Sequence, residues 1–106
     1  MTETLRFTAP LEEYFIEEGF DPMGWITLTG DIADSIAAHE LMRRLEIGKR
    51  RGFGSVKVAV RVGNHHWRTS VFPHKSGGWF LPIKKPVRIA EKLNFGDAVE
   101  VELELL

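Results

Sequence analysis

Val56-Lys57-Val58-Ala59-Val60-Arg61-Val62 places an apolar residue at every second position, and Gly63-Asn64 follows directly. Alternation of period two sends the four valines to one face of a strand and Lys57, Ala59 and Arg61 to the other. A glycine in first place of a two-residue turn suits a type II′ hairpin, so the chain is expected to return as a strand over about His66 to Phe72. The same alternation recurs at Ala98 to Leu105, where Val99, Val101, Leu103 and Leu105 face inward and Glu100, Glu102 and Glu104 face water. Three glutamates in line call for basic neighbours, and Lys57 and Arg61 on the valine strand are candidates. Leu5 to Ala9 forms a first strand ended by Pro10. Trp25 to Leu28 and Trp79 to Ile83 form two more, with Pro82 suggesting an edge or a bulge.

Between strands the period changes. Ile32, Ala33, Ile36, Ala37 and Leu41 share a helical face over Asp31 to about Arg44, with acids at its start and arginines at its end, as the helix dipole favours. Pro86 suits the first turn of a short helix over Val87 to Leu93. Leu11 to Gly24 reads as an irregular or extended connection, and Gly48 to Gly54 as a glycine-rich loop. Gly24-Trp25-Ile26-Thr27-Leu28 leading into the first helix echoes Gly78-Trp79-Phe80-Leu81-Pro82-Ile83 leading into the second, and a glycine-bearing turn and an alternating strand follow each. Such an ordered repeat suggests a barrel of two interlocked half-barrels rather than a parallel sheet.

The 106 residues amount to one domain. A composition of 43% hydrophobic and 27% charged residues is globular. Zero cysteines remove disulfides, thiolate metal sites and cysteine nucleophiles, and they fit a cytoplasmic location. No apolar run approaches the ~20 residues of a membrane span, so no membrane partner is expected. The net charge of −1 hides a segregation along the chain. Residues 1 to 40 carry nine acids against Arg6, residues 41 to 92 carry thirteen bases against Glu46 and Glu91, and residues 93 to 106 carry four acids and no base. The basic block either mates with the acidic strands across a sheet or forms a face for an anionic partner.

Several stretches carry a family resemblance: Arg6-Phe7-Thr8-Ala9, Lys49 through Val58, Trp67-Arg68-Thr69-Ser70-Val71-Phe72-Pro73, Leu81 through Arg88, and Gly96-Asp97-Ala98-Val99-Glu100-Val101. The chain resembles a bacterial family known as domain of unknown function nineteen-oh-five. The resemblance implies a mainly β chain with two short helices, folded as a double-split β-barrel of two pseudo-repeated half-barrels across residues 1 to 106. It also implies a distant kinship with the swapped-hairpin barrels of AbrB-like transcription factors and antitoxins, and no established activity.

Arg51-Gly52-Phe53-Gly54-Ser55-Val56 looks like an RNA-recognition strand, but Ser55 stands where a second aromatic belongs. Glycine-rich backbone plus arginine still suits a phosphate. The anion-binding candidates are Arg50, Arg51, Arg68, Lys84, Lys85 and Arg88. Most aromatics in a small barrel fill its core. A tryptophan at the surface near Arg68, Lys75 and Lys84 would instead be a stacking platform. Trp67, Trp79 and His66 are the pocket or stacking candidates. His65 and His66 are adjacent and would point to opposite faces of a strand, so no metal site is expected. Ser70 lies within a strand and lacks the setting of a nucleophile, so no catalytic residue is assigned and no cofactor is expected. The leading expectation is a non-catalytic binding module with a basic face for an anionic partner such as nucleic acid, acting as a monomer or homodimer. The alternatives are a small-molecule-binding protein or enzyme with an aromatic-lined pocket, and a protein-interaction domain using the acidic segment 11 to 24.

Overall fold

The computed structural model of the chain describes residues 3–15, 17–48, 54–75 and 77–106. The described elements are, in order, β1 (Glu3–Pro10), β2 (Glu12–Tyr14), β3 (Met23–Leu28), α1 (Gly30–Ile47), β4 (Val56–Val62), β5 (His65–Pro73), β6 (Trp79–Ile83), α2 (Lys85–Ala90) and β7 (Ala98–Leu105). The strands form one curled antiparallel sheet in the order β1-β7-β4-β5-β6-β3-β2, a half-barrel around a single core. The fold is therefore mainly β with two helices.

The alternating strands behave as their period demands. Val56, Val58, Val60 and Val62 of β4 and Val99, Val101, Leu103 and Leu105 of β7 are all buried, facing Ile26, Leu28, Leu81 and Ile83 from the other arm of the sheet. Fully burying one such side chain contributes about 1.5–3 kcal/mol. Among the described side chains of α1, Ala33 and Ile36 are buried, and Leu41, Met42 and Leu45 are exposed. Gly63 has φ +57° while Asn64 keeps a negative φ, which is the type II′ turn its order requires. That turn is tied to the end of α2, because Glu91 accepts from the Asn64 N–H at 3.3 Å and its Oε2 lies 2.5 Å from His65 Nδ1.

Two strands join the arms of the sheet. His65 to Val71 of β5 pair with β4, whereas Phe72 and Pro73 pair with Phe80 and Trp79 of β6. Past that point β5 and β6 part, so Pro82, opposite Trp25 on β3, stands where its missing N–H costs no ladder bond to β5. At the other end, β1 pairs with β7 and β2 with β3, and buried Leu11 between them bonds through its backbone to Gly96 and Asp97. The connection expected over Leu11 to Gly24 therefore contains a three-residue strand. Residues 49 to 53 of the expected loop, with candidates Arg50 and Arg51, lie outside the described residues.

Candidate functional site

A strand with one buried face must show its alternate residues to water, and β2, β3, β6 and β5 each place an aromatic residue among them. In β3, Gly24, Ile26 and Leu28 are buried and Trp25 is not; in β6, Trp79, Leu81 and Ile83 are buried and Phe80 is not; in β5, Val71 is buried and Phe72 is not. The registers Glu12 with Trp25, Thr27 with Phe80 and Phe72 with Phe80 bring these rings side by side. Tyr14 stacks on Trp25 at 4.3 Å between ring centroids and 18° between planes. Trp25 meets Phe80 at 4.9 Å, and Phe80 stacks on Phe72 at 5.3 Å. His74 closes edge-on against Trp25 and Phe80. Each such pair adds about 0.5–1.5 kcal/mol beyond its burial, so the rings of the row support one another on the outer face.

The two ends of the row differ in charge. Beyond Phe72 a depression of about 350 Å³ is lined by Phe72, Ser70, Arg68 and Lys57 with Thr69, Val58 and Leu106. Lys57 lies opposite Ser70, and Arg68 is two residues along the same face. Neither cation has an ion-pair partner within 4 Å among the described residues. The Glu104 carboxylate is the nearest counter-charge by register, since Ala59 pairs with both Arg68 and Glu104. At the Tyr14 end β2 and the β2–β3 connection together carry Glu12, Glu13, Glu17, Glu18 and Asp21 and no base. There Thr27 donates its hydroxyl to Glu12.

The other expected site residues fall in separate places. Lys84, Lys85 and Arg88 gather at α2, away from the outward face of β5 that carries Arg68. Lys85 Nζ donates to Asp21 Oδ2 at 2.8 Å, and this ammonium holds the Asp21 carboxyl below its ordinary range. Arg88 turns inward: it donates to the Pro22 carbonyl at 3.3 Å and lies 5.0 Å from the Phe95 ring centroid. A Cβ on Gly24 would stand 2.8 Å from Arg88 Cδ, so glycine gives this side chain its channel. His66 faces out opposite Arg61, while Trp67 faces in and Trp79 is 8% exposed within the core. His66, Trp67 and Arg68 line one shallow depression of about 370 Å³ with Arg61, Glu102 and Glu104, and Trp79 is not part of it. Arg6 pairs with Glu102 at 3.2 Å, whereas Arg61, opposite Glu102 in register, donates its Nε to the Gly63 carbonyl at 3.4 Å and has no ion-pair partner within 4 Å among the described residues. Among the described residues no three His, Cys, Asp or Glu side chains converge on a metal-sized site, and no helix is long and apolar enough to cross a membrane.

Trp25, Tyr14, Phe72 and Phe80 are not among the site candidates that the sequence marks. The available signal was the alternation Gly24, Ile26, Leu28 against Trp25 and Thr27, which turns Trp25 outward once the strand starts at Met23. A family model described as a domain of unknown function (DUF1905) matches residues 7–103. No curated protein matches the chain.

Proposed function

The chain belongs to this DUF1905 family, and we propose that it is a non-catalytic binding module whose outer sheet face takes a flat-ringed anion of the nucleotide type, single-stranded nucleic acid above all. One observation carries this: Lys57 and Arg68, two cations without ion-pair partners among the described residues, flank Ser70 around a depression walled by the last ring of an aromatic row. A base stacked on such a ring contributes about 1–3 kcal/mol by alanine substitution. Ammonium, guanidinium and hydroxyl donors together suit phosphate oxygens. The β7 glutamates in the middle of the same face would repel the two charged strands of a duplex, which favours a single strand or a free nucleotide.

The test is fluorescence anisotropy of a labelled short oligothymidylate at low and moderate salt. Affinity should fall as salt rises, and Phe72→Ala, Lys57→Ala and Arg68→Ala should each weaken it. An oligothymidylate that stays unbound at low salt removes the proposal.

The architecture supports a finer statement. We infer a double-split barrel in which residues 3 to 62 and 65 to 105 are matching halves, each a long bent strand, a strand, a helix and an alternating strand. The order β2-β3-β6-β5 in one arm and β1-β7-β4-β5 in the other fits a twofold that exchanges β3 with β6, β4 with β7, and β1 plus β2 with β5. Kinship with AbrB-like barrels, where two chains would supply these halves, is part of the same proposal.

A further inference from the structure

The opposite end of the aromatic row has a different chemistry, independent of the nucleotide site. There we propose a docking edge for an extended cationic segment of a partner protein, lying along β2 and held by the acid-rimmed rings of the β2–β3 connection. The sheet ends at β2, whose three residues are all exposed, so an outer row of backbone groups is open to strand addition. Beside it the chain shows large apolar side chains to solvent: Tyr14 is 43% exposed, Phe15 63% and Phe20 68%. Three large apolar side chains shown to solvent within seven residues of chain are a candidate interaction surface. Stacking on Trp25 holds Tyr14 in place, so little side-chain freedom remains to be lost on docking.

Charge selects the occupant. Residues 11 to 24 carry five carboxylates and no base. One ammonium already sits on this rim, with Lys85 Nζ 2.8 Å from Asp21 Oδ2, and shows how a lysine lands there. Nucleic acid and anionic headgroups would be repelled. A second copy offers its own exposed apolar helix residues Leu41, Met42 and Leu45, but α1 bears Asp31, Asp34, Glu40 and Glu46 against Arg43 and Arg44, and its acidic balance opposes that contact. A strand rich in lysine or arginine alternating with apolar residues satisfies the open edge, the rings and the carboxylates together.

The experiment uses the full chain and a synthetic peptide alternating lysine with valine, followed by backbone amide shifts, with the same peptide carrying glutamate for lysine as control. The lysine peptide should bind at low salt with shifts centred on residues 12 to 25, and the glutamate peptide should not bind. Phe20→Ser and the pair Glu13→Lys with Glu17→Lys change only exposed side chains. Each should weaken peptide binding by about tenfold or more while leaving oligothymidylate affinity and the melting temperature unchanged. Unaltered affinity in both variants, shifts centred elsewhere, or self-association that Phe20→Ser dissolves would overturn the proposal.

Discussion

Gly24 and Arg88 show how one missing methyl group organises a neighbourhood. The Arg88 stem runs 2.8 Å from where a Gly24 Cβ would be, with Leu11 Cδ1 at 3.2 Å on the other side, and the guanidinium is pinned by the Pro22 carbonyl and Phe95. Gly24→Ala should therefore destabilise the fold by about 1–3 kcal/mol, as overpacking does. In chemical denaturation the double variant with Arg88→Ala should lose less than the sum of the single variants, because the clash goes with the side chain. Asp21 gives a second residue-level expectation. Lys85 depresses its carboxyl pKa in the folded state, so the contact stabilises above the unfolded carboxylate pKa and is lost as pH falls through the depressed folded one. Carboxyl NMR titration should find the Asp21 midpoint below the usual aspartate range and return it upward in Lys85→Met. Neither contact was legible in the sequence, since both join residues more than sixty positions apart and depend on how α2 folds back onto the β2–β3 connection.

Strands β4 and β7 were legible to the residue, because each alternates strictly and one face of each is wholly buried. Strand β2 was not: its apolar member, Tyr14, packs outward on Trp25, so no inward alternation marks it. Helix α1 runs three residues past its expected end at Arg44, and Gly48 closes it by donating its N–H to the Arg44 carbonyl at 2.8 Å. Lys57 and Arg61, the expected neighbours of the β7 glutamates, form no ion pair with them within 4 Å among the described residues, Arg6 of β1 holding Glu102 instead, and the depression at Phe72 required knowing that β5 crosses from one arm of the sheet to the other. Strand β7, paired on both sides, carries the clearest stability test. Leu103 is fully buried opposite Leu5 of β1 and Val60 of β4, so Leu103→Ala should cost about 2–5 kcal/mol through lost burial and the cavity it leaves. Thermal or urea denaturation reads this directly. A loss below 1 kcal/mol would mean that the two arms close over the gap.

Across the whole molecule the basic block does not act as one surface among the described residues. Arg61 stands opposite Glu102, Lys85 is bound by Asp21, Arg88 points inward, and the cations left with Phe72 are Lys57 and Arg68. A chain order that alternates between two arms of a sheet scatters residues that are neighbours in sequence, which is why a charge run alone could not locate the site. The same topology makes the proposed halves testable. Glu3 is the register partner of Leu105, so the two ends of the described chain lie side by side and a short glycine-serine linker can join them. Opening the chain instead between Gly63 and Asn64, at the junction of the halves, removes one turn while β4 remains paired with β7 and β5 with β6. This permutant should fold cooperatively with a lower melting temperature, since the type II′ turn and its tie to Glu91 are weakened. It should also keep its oligothymidylate affinity, because Lys57, Arg68, Ser70 and Phe72 remain fixed by the strand registers. A permutant without a cooperative transition would show that the β4–β5 turn is needed to bring the arms together, and the chain would then be one continuous sheet rather than two interlocked halves.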